Sequence, residues 1–490
     1  MIQPRIITSI TIITISLLLS FGTAAFAGQV PNAASAPDIP LSGRDRVYTA
    51  DQTSNTVSVF KPQTNKLLGV IRLGEETPMN LSALYKGQLL VHGLGFAPDH
   101  RTLAVVSVGS NSVTFIDTQT NQVKHTTYVG RSPHEAFFTP DGREVWVTIR
   151  GEDYVSVLDS QTYQEKQRIK VGNGPGMTIF RPDGKLAFVC SSFVPETKVI
   201  EVSSHRVVAT VKQDSPFCPN IAATPDGKQV WFTLKDTGKT QVISAEAPFK
   251  TIAILKTGAI TNHVNFVKNQ NGQFAYVTIG GENTVKVFTT TNTPKLVATI
   301  PTGELPHGLW TSGDGTRVYV ALENGTGVTA IDTLTNRVIA TIPGGQSAQA
   351  LVYIPNAVPQ GDGLAHLEPL GKSGLSAHLV LEAPGASAKQ PVTTVTVNNQ
   401  GLIDLLEAAV TGLEPKSLYQ LALAESPNVP YGKLQPLSNF MTDATGAKVV
   451  TTIGPLRQVV ADHAGASIRC YLVIVPIRDG VAGMPVQVQR

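Results

Sequence analysis

Charge is scarce in this chain. Only 15% of its 490 residues are Asp, Glu, Lys or Arg, and 39 basic against 36 acidic residues leave a net charge of +3. No long run of either sign occurs, so the electrostatic footprint of a nucleic-acid binder is missing and nucleic acid is set aside as a partner. Cysteine is scarcer still. Cys190, Cys218 and Cys470 can close at most one internal bridge, so no disulfide framework holds the fold. There is no Cys-x-x-Cys and no Cys-x-x-Cys-His, which leaves a zinc ribbon and covalently attached haem unsupported. Gly-x-Ser-x-Gly, the phosphate-binding Gly-x-x-x-x-Gly-Lys-Ser/Thr and His-Glu-x-x-His are also absent, and with them the serine hydrolase, nucleotidase and zincin readings. No catalytic residue is assigned.

What the chain has in quantity is apolar residues (42%), 43 Gly and 32 Pro, the composition of a turn-rich globular chain with a large β core. Its length exceeds one ordinary domain of roughly 100–200 residues. The first residues place Arg5 before an apolar stretch from Ile6 to Leu19 and end in Ala25-Phe26-Ala27, the pattern of a cleavable signal peptide over 1–27. The expected mature chain begins near Gly28 and has no transmembrane segment. It is expected to be exported, to a periplasm or to the cell surface and beyond.

From there one pattern recurs at about every 40 residues, a period of propeller blades or solenoids. Residues 132–172 and 305–345 are the best copies: an entry strand, a Pro-Asp-Gly or Gly-Asp-Gly turn, a Val-Trp-Val-Thr or Val-Tyr-Val-Ala strand, a Gly/Asn loop, then two further strands. Six full repeats are predicted, at 91–130, 134–172, 176–212, 219–257, 263–303 and 307–345. A seventh is split, three strands from 47–74 and one from 348–356, an arrangement that ties the chain ends together and hides two sheet edges. These repeats resemble the YVTN family of seven-bladed β-propellers, on Tyr276-Val277-Thr278, Trp146-Val147-Thr148, Tyr319-Val320-Ala321, the strand from Asn111 to Asp117 and the turn from Asp332 to Asn336. The resemblance implies a propeller over 44–356. It says little of function, because such propellers include surface-layer and binding proteins and relatives of lactonases and reductases.

After a linker at 357–363 the period stops. Residues 364–490 read as alternating strands, with Gly412-Leu413-x-Pro415-x-x-x-Tyr419 resembling the corner turn of fibronectin-type or Ig-like β-sandwiches. A helix over Leu402–Val410 is the rival within this part. The fold class is therefore all-β, a seven-bladed propeller followed by a β-sandwich.

Registering the repeats on their Asp-Gly turns puts His92, His134 and His307 at one position, with His263 one residue off and Gly176, Pro219 and Gln349 in the remaining copies. Four imidazoles at one axial mouth suit copper, zinc or iron. Alternatively each His packs on the neighbouring blade. Glu135, Glu152, Asp153, Glu282 and Glu323, with Asn220 and Gln349, are the candidate ligand-binding residues of the same face. Residues 77–91, an insertion unique to the first connection, are expected on that face as a lid or as a decoration. Cys190 and Cys218 fall in adjacent blades, either bridged or as two buried thiols, and Cys470 is expected in a core. Two functions follow. One is an exported binding or scaffold protein that recognises a protein, glycan or small ligand at the mouth. The other is a metal-dependent enzyme, an oxidoreductase or lactonase/lyase, using the four histidines.

Overall fold

The computed structural model describes residues 39–74, 89–385, 392–400, 403–461 and 469–490. The expected leader and most of the 77–91 insertion lie outside the described residues. Seven four-stranded antiparallel sheets occupy the first part. Blade 1 is the split one: its inner strand is Ala348–Ile354, paired with Arg46–Asp51, and Thr56–Lys61 and Lys66–Arg72 complete it. Blades 2 to 7 begin at Val91, Pro133, Pro175, Ile221, Thr261 and Pro306, and their outermost strands end at Tyr128, Lys170, Lys212, Lys256, Pro301 and Ile342. The ring closes as the repeat count predicts.

Each blade is a short alternating sheet with no independent core, so stability comes from what crosses between blades. The repeated residues make those crossings. The threonine next to last in the second strand donates to a carbonyl at the entry of the following blade: Thr148 to Gly176 (3.0 Å), Thr233 to Asn262 (2.5 Å) and Thr278 to His307 (2.7 Å). The tyrosine two residues earlier reaches the outer turn of the following blade. Tyr276 Oη meets Asn336 Oδ1 at 2.6 Å and Tyr319 Oη meets Asn65 Oδ1 at 2.9 Å. The asparagine before the third strand accepts backbone N–H groups of the next entry loop, Asn111 from Ser132 and Asn283 from Leu305, both at 2.9 Å. Cys190 occupies the threonine position of blade 4 and is disulfide-bonded to Cys218 at the entry of blade 5, a covalent tie where its counterparts use a hydroxyl. Cys470 is a half-buried free thiol packed against the second core.

The Asp-Gly turns are hairpin chemistry. Asp141 accepts from the Thr139 hydroxyl (2.6 Å) and the Arg143 N–H (3.1 Å), and Gly142 takes the left-handed φ of 72° that closes the turn.

The chain then runs along the propeller. Arg46 donates to the Asp362 carbonyl, Asn121 to the carbonyls of Gly363 and Ala365, and Val70 pairs with Glu368. Residues 357–368 are thus bound to the ring. The second part is sandwich-like and built from one continuous sheet, in the order Leu434–Met441, Leu418–Ala424, Tyr471–Arg478, Gln487–Gln489, Ser376–Glu382, Thr393–Asn399, Asp404–Val410 and Lys448–Gly454. The sheet curls until its first and last strands touch, enclosing a core of Leu381, Leu406, Leu421, Ile474 and their neighbours. The segment for which a helix was the rival is strand over Asp404–Val410. Tyr419 sits at the predicted corner, its hydroxyl accepting the Glu414 N–H at 3.2 Å.

Candidate functional site: a capped axial chamber

The entry loop and the end of the second strand meet in the same way in every blade. The residue just past the second strand donates its N–H to the carbonyl two residues before the aligned histidine position: Gln52 to Ser347, Val108 to Leu90, Arg150 to Ser132, Ser192 to Gly174, Lys235 to Phe217, Gly280 to Ile260 and Glu323 to Leu305. This sevenfold constant geometry defines stacked rings around the axis. Gln52, Val108, Arg150, Ser192, Lys235, Gly280 and Glu323 form the rim. His92, His134, Gly176, Pro219, Asn262, His307 and Gln349 form the layer beneath, and Gly93, Glu135, Met177, Asn220, His263, Gly308 and Ala350 the next. His263 is therefore one layer deeper than its three counterparts, and Asn262 holds the position it was aligned to.

The four histidines do come together, as an arc. Ring centroids of His134 and His92 are 4.5 Å apart, those of His92 and His307 6.4 Å, and those of His307 and His263 4.6 Å. His134 donates from Nδ1 to the Gly176 carbonyl (2.7 Å), and its Nε2 accepts from the Arg150 guanidinium (2.5 Å). His307 donates from Nδ1 to the Gln349 carbonyl (2.9 Å) and turns Nε2 toward Glu323 Oε2 at 3.9 Å. The Asn220 amide donates to Nδ1 of His263 at 3.2 Å. Nδ1 of His92 is buried with no partner. Burial, reinforced by Arg150 and by neighbouring imidazoles, pushes all four well below the usual histidine range, His92 to about 3. They are neutral at physiological pH.

Glu135 lies below them. One carboxyl oxygen has no partner, and burial raises its pKa from 4.5 to about 8. Gly93 makes room for it, since a Cβ there would stand 2.7 Å from that oxygen and 2.2 Å from the His134 carbonyl. Glu135, Met177, Asn220, His263 and Trp310 line a small cavity on the axis of about 20 Å³, room for about one water. Gln349 donates to Glu323 Oε1 at 2.9 Å. Three predicted residues stay outside, Glu152, Asp153 and Glu282: Glu152 accepts the Arg131 N–H (2.9 Å) and Glu282 pairs with Lys286 (2.7 Å). Asp153 faces Lys170 at 3.8 Å.

Arg150 and Lys235 were not anticipated. Each directly follows a Val-Thr or Phe-Thr-type second strand (WVTI, WFTL), as Glu323 follows YVAL, and that placement was the available signal. Arg150 is held over the Phe217 ring, 5.7 Å from its centroid. The Lys235 side chain has no hydrogen-bond or ion-pair partner among the described residues, and its charge bears on His92, His263 and His307. For a metal ion this environment is poor: Nε2 of His134 is taken by a guanidinium, and two cations overlook the imidazoles. Among the described residues no three His, Cys, Asp or Glu side chains are placed to hold one ion. The donor set instead suits a small anion or hydrogen-bond acceptor.

The C-terminal sheet contacts the mouth face over four consecutive blades. Asn324 of blade 7 donates to the Thr394 carbonyl (3.2 Å) and accepts from the Thr396 hydroxyl (2.5 Å). Asn398 donates to Ser347 Oγ of blade 1 (3.0 Å), and the Ala444 N–H reaches the Asp236 carbonyl of blade 5 (3.3 Å). Ile260 and Leu305 of blades 6 and 7 share an apolar cluster with Ala409 and Ala447. Glu407, the cross-strand neighbour of Thr396, is buried at this contact.

Residues 116–336 match the family model described as Lactonase, 7-bladed beta-propeller. The matched stretch lies wholly inside the ring. Among solved structures, the chain is similar to hydrazine synthase of Kuenenia stuttgartiensis, with 20% identity and a TM-score of 0.51 over 64% of this chain and 97% of that one. It is also similar to a functionally unknown protein of Desulfotomaculum acetoxidans DSM 771, with 15% identity and a TM-score of 0.54 over 62% of this chain and 98% of that one. At such identities the likeness is one of fold. No curated protein matches the chain.

The buried acid makes the site's stability pH-dependent. Glu135 is protonated in the folded chain up to about pH 8. Its contribution is complete below about pH 4.5 and is lost as pH rises toward 8, at up to about 1.4 kcal/mol per pH unit. The histidines act oppositely: their contribution is complete above pH 6.5 and is lost as pH falls below it. Glu135→Gln is therefore expected to gain on the wild type steadily between pH 5 and 8, read by chemical denaturation across that range. A constant difference between the two would contradict the protonated state.

Proposed function

We propose that this is an exported binding protein whose axial chamber takes a small anionic ligand. The carrying observation is the pair of cations, Arg150 and Lys235 with its unpartnered side chain, set over neutral imidazoles and buried polar atoms that lack partners and can donate, namely His92 Nδ1 and the protonated Glu135 Oε2. Buried polar groups are ordinarily satisfied, and a hydrogen-bonding ligand would satisfy these. The covering sheet favours a small molecule over a protein or glycan as the occupant. Export to a periplasm or the cell exterior is supported by the leader pattern and by the Cys190–Cys218 disulfide. No helix among the described residues is long and apolar enough to cross a membrane. The Thr, Tyr and Asn crossings between blades support placing the propeller with the YVTN family.

Thermal denaturation against a panel of small carboxylates and phosphorylated sugars, oligosaccharides, and copper, zinc and iron salts tests the reading. A ligand that binds the native state raises the melting temperature, by RT ln(1 + [L]/Kd) in free energy. At least one small anion should do so. If only a metal salt or a glycan does, the reading fails. A second reading, lactonase-like turnover in the same chamber, is favoured by the family match over 116–336 and is tested by release of acid from simple lactones.

A further inference from the structure

At the centre of the contact between ring and sheet stand two carboxyls. Glu323 at the rim of blade 7 and Glu407 in the strand Asp404–Val410 are both buried, each keeps a carboxyl oxygen without a hydrogen-bond partner among the described residues, and Thr396, the cross-strand neighbour of Glu407, bonds the carbonyl of Asn324 next to Glu323. Two carboxylates brought together in a buried contact repel, and one proton held between them would relieve that repulsion. On the propeller side Glu323 also receives the Gln349 amide and faces His307, and Lys235 is the cation that bears on Glu407. On the sheet side the cross-strand neighbours of Glu407 are the uncharged Thr396 and Thr451. Other titratable groups of the contact lie apart from it: His378 faces Glu304 at 3.7 Å, and Asp236 meets Lys448 and Asp443 near blade 5.

We propose that Glu407 is a residue of the axial site, and that the single proton it shares with Glu323 latches the C-terminal sheet over the chamber. Losing that proton places two like charges face to face in a buried contact, where solvent does not screen them. Lifting the sheet returns both to water. Burial, with Glu323 next in size, holds the Glu407 proton well above the ordinary glutamate range while the sheet is down. The closed state thus binds a proton that the open state releases. Closure is complete below the ordinary glutamate value, and the opening constant rises about tenfold per pH unit above it until the closed-state value is reached. The latch concerns the chain alone, and it stands or falls independently of which ligand enters.

Hydrogen exchange on the full chain without ligand, at pH 5.5 and 8.5 and corrected for intrinsic exchange chemistry, reads the opening. Peptides covering 393–399, 404–410 and 322–324 should lose at least tenfold more protection at the higher pH than the blade 3 strand 144–149 does. Glu407→Gln sets an amide donor beside Glu323 and cannot titrate, so it should abolish that extra loss. Glu323→Gln should do the same from the other side, and it serves if the first variant fails to fold. Wild-type protection that changes no more at the contact than in blade 3, or amide variants that follow the wild-type pH dependence, would overturn the proposal.

Discussion

A chain ending at Ser347 is expected to collect in the insoluble fraction, whereas one ending at Leu370 stays soluble and unfolds cooperatively. The difference is the strand Ala348–Ile354, all seven residues of which are buried. It pairs with Arg46–Asp51 and packs between the inner strands of blades 7 and 2. Burying Leu351, Val352, Tyr353 and Ile354 contributes roughly 1.5–3 kcal/mol each, so their loss is on the order of the whole 5–15 kcal/mol stability of a domain. The deletion also opens the ring and leaves two unpaired strand edges. The longer chain keeps this strand and the segment whose carbonyls hold Asn121 and Arg46. It lacks only the covering sheet, which leaves Ile260 and Leu305 exposed. Sedimentation of the soluble fraction and a thermal melt distinguish the two; equal solubility of both chains would contradict closure by that strand.

The second large effect concerns the rim. Replacing Arg150 and Lys235 together by Gln should weaken binding of the anion found in the denaturation screen by at least about 100-fold in isothermal titration. Charge-assisted hydrogen bonds contribute about 1.5–3 kcal/mol each, and two of them account for that factor. The amide introduced by Arg150→Gln retains a donor for His134 Nε2, so the melting temperature without ligand should change little. Retained affinity in a folded double variant would place the ligand elsewhere.

Much of this architecture was legible because it repeats. Asp141, Asp183, Asp226 and Asp314 mark the first hairpin of their blades, and the Tyr-Val-Thr strands between them carry residues that hold the next blade, so the same chemistry returns at each period. The split blade was readable from leftover strands at both ends of the array. His263 reads one residue off its three counterparts in the sequence, and in the structure it lies one layer deeper than they do. Blade 6 turns between strands of nine and eight residues, Thr261–Asn269 and Gly272–Ile279, where the other blades use three to seven, and this longer hairpin shifts the count from turn to entry. Arg150 and Lys235 escaped notice because a charged residue after a strand is ordinarily a solvated loop residue. Only the constant N–H to carbonyl contact at the ring's rim turns that position toward the axis. The cover was illegible as well: Asn324, Thr394, Thr396 and Glu407 read as ordinary polar loop and strand residues, and docking between distant segments leaves no periodic trace.

The central claim is an anion-seeking chamber beneath a covered mouth, and anomalous diffraction from crystals soaked in bromide tests it most directly. The account predicts a bromide inside the ring, beside the Arg150 guanidinium and the Lys235 ammonium and above His92. Bromide confined to the outer surface, or a transition metal held by His92, His134 and His307 in untreated crystals, would contradict it.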